Sequence, residues 1–376
     1  MTASRRITVL LPVFGLIVLA ICGLSLLALA TVRVGFVAVA VGMAAALVPV
    51  VVVVAVFLWI DRWEPEPARL LLLAFAWGAC IAAIIALLIN DTAEAVGDQL
   101  LGVGNGGKVT ALVSAPLVEE AAKGSFVLAV LLRRADEFDG VVDGIVYAGF
   151  TAAGFAFTEN IYYFGRAFAE HGFGTGTSSG VIAAFVLRGV LSPFTHPLFA
   201  ALTGVGLGIA SRASKRGIKI LAPLAGYLGA VLLHALWNGA ATLGGANAFL
   251  NVYFLIMVPM FIAVTLLVLL QRRREQRTIA AAMPGMVRAC WIAPAEVELL
   301  ISLPGRRRWR RLARRQSGRR AAKAVGTYQA SVTELAFLKR HPERAGYLER
   351  ERELLAMLRD ARTEAVRLAG EAPGTG

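Results

Sequence analysis

Charge is scarce in this chain of 376 residues: only 17% of its side chains are Asp, Glu, Lys or Arg, against roughly 25% in an ordinary soluble domain. Cysteine is scarcer. Cys22, Cys80 and Cys290 form an odd, scattered trio, and the first two lie inside apolar runs. A disulfide-stapled secreted scaffold is therefore excluded. The chain also lacks an H-E-x-x-H zinc signature, and no serine, cysteine or aspartate pair has a partner set for nucleophilic catalysis. No internal repeat is visible, which weighs against carriers built from paired halves.

What remains is apolar. Hydrophobic residues make up 57% of the chain, and they gather in runs near the roughly 20 residues that a helix needs to cross a bilayer. Eight spans are expected, at about 7–30, 34–60, 69–90, 108–132, 141–165, 181–210, 220–243 and 249–270. Only helices satisfy every backbone group inside such a segment, so the expected fold is an all-α, polytopic helical membrane protein. The first apolar stretch exceeds the roughly 7–15 residues of a signal-peptide core and is expected to stay as an anchor.

Positive charge predicts the orientation. With a cytoplasmic N-terminus, the inner segments carry Arg5, Arg6, Arg62, Arg69, Arg133, Arg134, Arg212, Lys215, Arg216 and Lys219. The outer loops carry only Arg33, Lys108 and Arg166. Both termini are then cytoplasmic. The chain divides by this pattern into two anchor helices (1–60), a membrane core (61–270) and a basic tail (271–376). The net charge is +13, and the tail holds almost all of it. Nine arginines lie between Arg306 and Arg320, with Trp309 among them. A cationic stretch just after a last span is expected on anionic lipid headgroups, where each charge contributes on the order of 1 kcal/mol; nucleic acid is the weaker alternative. Helical spacing from about Thr333 to Leu368, through Leu335, Leu354 and Leu358, suggests a surface helix or short coiled coil.

Ionisable groups inside the spans are the informative feature, because each costs about 2.5–3.5 kcal/mol at the bilayer centre unless it meets a partner or a polar cavity. Glu119, Glu120 and Lys123 share the fourth span, where Lys123 can pair with either glutamate and one carboxylate is left over. Phe155 and Glu159 lie in the fifth, near Gly149 and Gly154, which permit close helix approach. His196 sits between Pro193 and Pro197 in the sixth, where a broken helix is tolerated only in buried or water-lined surroundings. His234 and Asn238 share a helix face in the seventh. Arg188, also in the sixth, reads as a structural or charge-balancing residue. The depths of these groups along their helices permit one common cavity.

Such a set suits hydrolysis. A buried glutamate can take a proton from water, and histidine or asparagine can donate to a developing oxyanion. Alternatively Glu159, His196 and His234 could hold Zn²⁺ with a position open for water. Proton- or ion-coupled transport is the competing class, since intramembrane Glu and His also mark ion pathways.

The four motifs, Glu-Glu-x-x-Lys at 119–123, Phe-x-x-x-Glu at 155–159, the mid-membrane His196 and His-x-x-x-Asn at 234–238, occur in this order on consecutive spans. That arrangement resembles the PrsW family of bacterial intramembrane proteases, relatives of the CAAX-processing and bacteriocin-processing membrane proteases. The resemblance covers roughly residues 60–270. Lys123 and Glu159 stand where the wider superfamily usually has Arg and His, which points to the PrsW branch. It implies cleavage of a membrane-anchored protein, with anti-sigma factors the best-known substrate class, in a bacterial plasma membrane. Carried over, Glu119 or Glu120 would activate water, and His196 and His234 would bind metal or the oxyanion. Asn238 would assist, and Lys123, Phe155 and Glu159 would support the site.

Overall fold

The computed structural model describes residues 3–63, 65–135, 137–138, 140–174, 179–339 and 346–369. Every regular element among them is a helix. In chain order these are α1 (Ala3–Val34), α2 (Phe36–Ile60), α3 (Ala68–Leu101), α4 (106–133), α5 (Val141–His171), α6 (180–191), α7 (Thr195–Arg212), α8 (Arg216–Leu243) and α9 (Gly245–Arg288), then two short helical turns (Pro294–Glu296 and Val297–Leu300), followed by α10 (Leu303–Leu338), whose two arms meet at a non-helical break at Gly318, and α11 (Tyr347–Ala369). Seven helical segments are long and apolar enough to cross a membrane, with α6 and α7 counted as one. The fourth of the eight expected spans (108–132) corresponds to α4, which has the length but carries Glu119, Glu120 and Lys123 in its middle. Large apolar side chains such as Val32, Leu72, Leu132 and Leu232 are exposed along these helices, as lipid-facing surfaces require. The protein is a multi-pass membrane protein.

The described residues form two compact units, one of Met1–Asp61 with Glu66–Leu266, the other of Arg62–Pro65 with Leu267–Gly376. In the first, α5 is the buried centre, packed against α2, α3 and α7, while α7 packs in turn on α8. Small residues let these backbones approach. A Cβ on Gly144 would collide with the Gly204 carbonyl, and one on Gly154 with the Phe75 carbonyl. Just past α2, the Asp61 carboxylate is buried and accepts from the Glu66 amide at 3.0 Å. Tyr147 donates its hydroxyl to Glu66.

The second unit departs from two expectations. Arg306 and Trp309 do not face outward for headgroup contact but are buried in an apolar core with Trp63, Met286, Leu300 and Tyr328. Arg306 donates to the Leu300 carbonyl at 2.7 Å and to Thr333 Oγ1 at 2.8 Å, and its guanidinium lies 5.0 Å from the Trp63 ring centre. Desolvation lowers it to about 10. The remaining arginines of the stretch are exposed. The second departure concerns 333–368, which is neither a lone surface helix nor one continuous element. α10 ends at Leu338, and α11 packs against it with Leu335, Leu354 and Leu358 in the same core. At its centre buried Glu296 accepts from Tyr328 Oη at 2.7 Å and from Arg362 Nη2 at 3.1 Å. Glu296→Ala is expected to destabilise this unit by about 1–3 kcal/mol, since Arg362 keeps some access to water. Faster hydrogen exchange in α10 and α11 of the intact chain would show it.

Asp61 makes stability depend on pH. Burial pushes its carboxyl up to about 7, against 3.8 when unfolded, over the opposing hydrogen bond from the Glu66 amide and with a smaller push from the nearby Asp143 charge. The folded state therefore binds the extra proton between those values, and stability falls as pH rises from about 4 to about 7. Asp61→Asn removes this loss. Its melting temperature should exceed that of the wild type by a gap that widens over that range and is constant above it.

Candidate active site

Three of the helices that carry the intramembrane polar groups contain a wide, π-type turn. These lie at Trp77–Ala82 in α3, Thr110–Ser114 in α4 and Val186–Leu191 just before the α6–α7 break. Wide turns release carbonyls from the regular ladder, and they recur at functional sites. The released groups find side-chain donors. Thr158 Oγ1 donates to the Ala79 carbonyl at 2.7 Å, and Asn238 Nδ2 to the Ala111 carbonyl at 3.0 Å. At the break, Ser192 Oγ donates to Leu187 O at 2.6 Å and Thr195 Oγ1 to Ser192 O at 2.9 Å. Pro193 cannot donate, and at this break Leu187 O and Ser192 O each accept from a backbone amide as well, Ser192 N at 3.0 Å and Thr195 N at 3.2 Å, so the hydroxyls add a second bond to each carbonyl.

On this frame α4, α5, α7 and α8 bring Glu119, Glu120, Lys123, Phe155, Glu159, His196 and His234 together. The Lys123 ammonium is 1% exposed. It donates to Glu120 Oε1 at 2.9 Å and to Glu119 Oε2 at 3.4 Å, lies 3.2 Å from His196 Nδ1, and sits 4.0 Å from the centre of the Phe155 ring. An ammonium only donates, so His196 Nδ1 accepts and its Nε2–H donates to Glu159 Oε2 at 2.7 Å. Glu159 is also paired with Arg188, whose Nε donates to Asn160 Oδ1 at 2.7 Å. His234 Nδ1 lies 3.0 Å from Glu120 Oε1 and donates to it, which leaves the Nε2 lone pair 3.9 Å from Glu119 Oε2.

The two glutamates are thereby separated in role. Glu120 is enclosed and ties Lys123 and His234 in place; its Oε2 is buried without a hydrogen-bond partner. Glu119 lies on the wall of a cavity of about 1240 Å³, which Glu159, His196, His234 and Asn238 also line, and to which α1 contributes an apolar wall that includes Leu24 and Leu27. Asn238 is on the same cavity, but its amide is engaged by Ala111 rather than by the glutamates. Sequence inspection missed Asn90. It sits on α3, its Nδ2 3.4 Å from Glu119 Oε1, and Ser114 Oγ donates to its Oδ1 at 2.7 Å. A lone carboxamide closing the apolar run 81–89 was the available signal. Arg188 was visible in the sequence, but its pairing with Glu159 was not.

A metal ion has a possible donor set here, and it differs from the expected one. The atoms that lie within 4.8 Å of one another belong to Glu119, His196 and His234; Glu159 is taken up by Arg188 and His196. His234 fits best, because Glu120 fixes its tautomer with Nε2 facing Glu119, the outer-sphere arrangement common to histidine ligands. That nitrogen and Glu119 Oε2, 3.9 Å apart, would hold the ion, which would supply a Lewis acid at the cavity wall. His196 would first have to release Lys123 or Glu159.

The PrsW family intramembrane metalloprotease model matches residues 66–264, more than half of the chain. The chain belongs to the PrsW family. Similar relatives include Protease PrsW of Geobacillus kaustophilus, 31% identical over 156 residues, which are 42% of this chain and 60% of that protein. Protease PrsW of Oceanobacillus iheyensis is 31% identical over 172 residues, 46% of this chain and 70% of the relative. No solved structure matches. The match spans the helices from α3 to the first part of α9, and so includes every group in the Lys123 network.

Zinc titrated into metal-stripped protein is expected to bind at about one site per chain through the Glu119, His196 and His234 donors. Binding should be lost in His234→Ala and retained in Glu159→Gln, as read by calorimetry. Equal loss in both variants would return Glu159 to the donor set.

Proposed function

We propose that the protein is an intramembrane endopeptidase that hydrolyses a peptide bond of a membrane-anchored protein substrate. The observation that carries this reading is Glu119 on the wall of a large, mainly apolar cavity, with His234 Nε2 beside it and a buried Glu120–Lys123 pair holding both. A water placed against the Glu119 carboxylate attacks the scissile carbonyl carbon as Glu119 accepts its proton. The carbonyl oxygen gains negative charge, and His234, when it enters the step as the imidazolium with Nδ1–H on Glu120, directs its Nε2–H at that oxygen and keeps the proton throughout. Glu119 then returns the proton to the leaving amine nitrogen as the C–N bond breaks. Glu120 acts through His234 and Lys123 by fixing their positions. A zinc ion held by Glu119, His196 and His234 would instead supply Lewis-acid polarisation of water and carbonyl, with Glu119 and His234 then acting as ligands rather than as base and donor.

The resemblance to the PrsW family supports anti-sigma factors as the substrate class and a bacterial plasma membrane as the location. The Lys/Arg bias of the short loops supports cytoplasmic termini. On that topology the exposed tail arginines meet anionic headgroups, as their charge favours. Nothing in the site favours the carrier alternative, because its charges are consumed in one mutually paired network.

In cells expressing a membrane-anchored reporter, Glu119→Gln is expected to reduce cleavage by at least about 10²-fold while insertion and abundance stay normal. Glu120→Gln should cost less, because it retains an acceptor for His234. Wild-type cleavage by Glu119→Gln would remove Glu119 from the reaction and defeat the proposed site.

A further inference from the structure

Among the side chains that touch Glu119, one comes from outside the four motifs. Asn90 projects from α3 into the same cavity wall. Its orientation is set from α4. Ser114 Oγ–H donates to Asn90 Oδ1 at 2.7 Å, and Thr110 Oγ1–H donates to the Asn90 backbone carbonyl at 3.3 Å. Thr110 and Ser114 bound the wide turn that precedes the glutamates, so this turn and the Asn90 grip are one construction.

The amide geometry has a directional consequence. A hydroxyl can donate or accept, whereas the Glu119 carboxylate only accepts, so it is Glu119 that fixes the Nδ2 end of the carboxamide, and Ser114 then donates to Oδ1 on the other side. Glu119 Oε1 lies 3.4 Å from Nδ2. The other Glu119 oxygen faces Lys123 and His234. The carboxylate is thus held from both sides, by cations and rings on one and by a neutral donor on the other. Lys123 alone would draw Glu119 toward Glu120 and away from the cavity.

We propose that Asn90 is a positioning residue for Glu119, oriented by Ser114, which keeps the carboxylate turned to the cavity for proton transfer. This rests on the assignment of Glu119 as the general base. Because the contact acts on the base and not on substrate binding, its loss lowers turnover with little change in KM.

The test is steady-state cleavage of a membrane-anchored reporter by the full chain in proteoliposomes, with Asn90→Ala, Asn90→Asp, Ser114→Ala and Glu119→Gln measured side by side. Asn90→Ala is expected to lower kcat about three- to tenfold with KM changed less than about twofold, as suits one long hydrogen bond to a charged acceptor. Asn90→Asp keeps the shape and the Ser114 bond but replaces the donor with a second carboxylate, so kcat falls further. Ser114→Ala falls least, because it frees the amide to rotate without deleting it. Asn90→Asp as active as the wild type, or a loss carried by KM in all three variants, overturns the assignment. Should Asn90→Ala fail to fold, Asn90→Asp and Ser114→Ala still decide it. If Glu119→Gln turns over normally, the reading of the base itself falls. If Glu119→Gln is inactive while Asn90→Asp is normal, only the role of Asn90 is lost.

Discussion

The Lys123 ammonium is the interaction on which the membrane unit depends. It is buried, and it is shared by Glu119 and Glu120 of its own helix, by His196 of α7 and by the Phe155 ring of α5. A bare ammonium in apolar surroundings is costly, and so is each carboxylate, yet together they satisfy one another. Two anions and one cation also explain how α4 keeps the length of a spanning helix despite three ionisable residues in its middle. The network is a chain of such compensations. Glu120 holds His234, His196 is bound to Glu159, and Arg188 balances Glu159. Removing Lys123 would take a partner from both glutamates and from His196 at once.

Irregular backbone is the second constraint. Wide turns in α3 and α4, and the proline break between α6 and α7, all lie near these charges. In an apolar medium backbone carbonyls need donors, and Thr158 and Asn238 donate to those of Ala79 and Ala111 at the wide turns, while Ser192 and Thr195 add a second bond to carbonyls at the break. The polar residues of the site therefore divide into those that face the cavity and those that stabilise the backbone around it. Asn238 does some of each. It lines the cavity, but its amide is committed to Ala111. Its place in the His-x-x-x-Asn motif follows from its hydrogen bond to α4 as much as from its position beside His234.

The second unit shows how a basic sequence can conceal a packed core. Arg306 and Trp309 alternate with exposed arginines along the first arm of α10, and that arm's buried face is closed by Tyr328 from the arm beyond the Gly318 break and by α11. Glu296, the buried carboxylate at its centre, is the partner of Arg362, 66 residues away in the chain. Charge density alone suggested a stretch lying on anionic lipid headgroups. The mixed periodicity of 306, 309 and 313 was the sign of a folded face.

Helical class, membrane insertion and the residues of the motifs were determined by the sequence itself. Apolar run length and isolated intramembrane charges are local properties that no tertiary arrangement can alter. The folding of 306–369 into a core, the presence of Asn90 at Glu119 and the engagement of Glu159 by Arg188 were not local. Each joins residues that lie far apart along the chain, and nothing in the spacing of one helix states which face of another it will meet. The separation of two adjacent glutamates into a cavity-facing residue and an enclosed one was likewise decided by tertiary structure. Neighbours on a helix point about 100° apart, so both cannot face the same space, but only the packing of α3, α5, α7 and α8 around α4 determines which of them does.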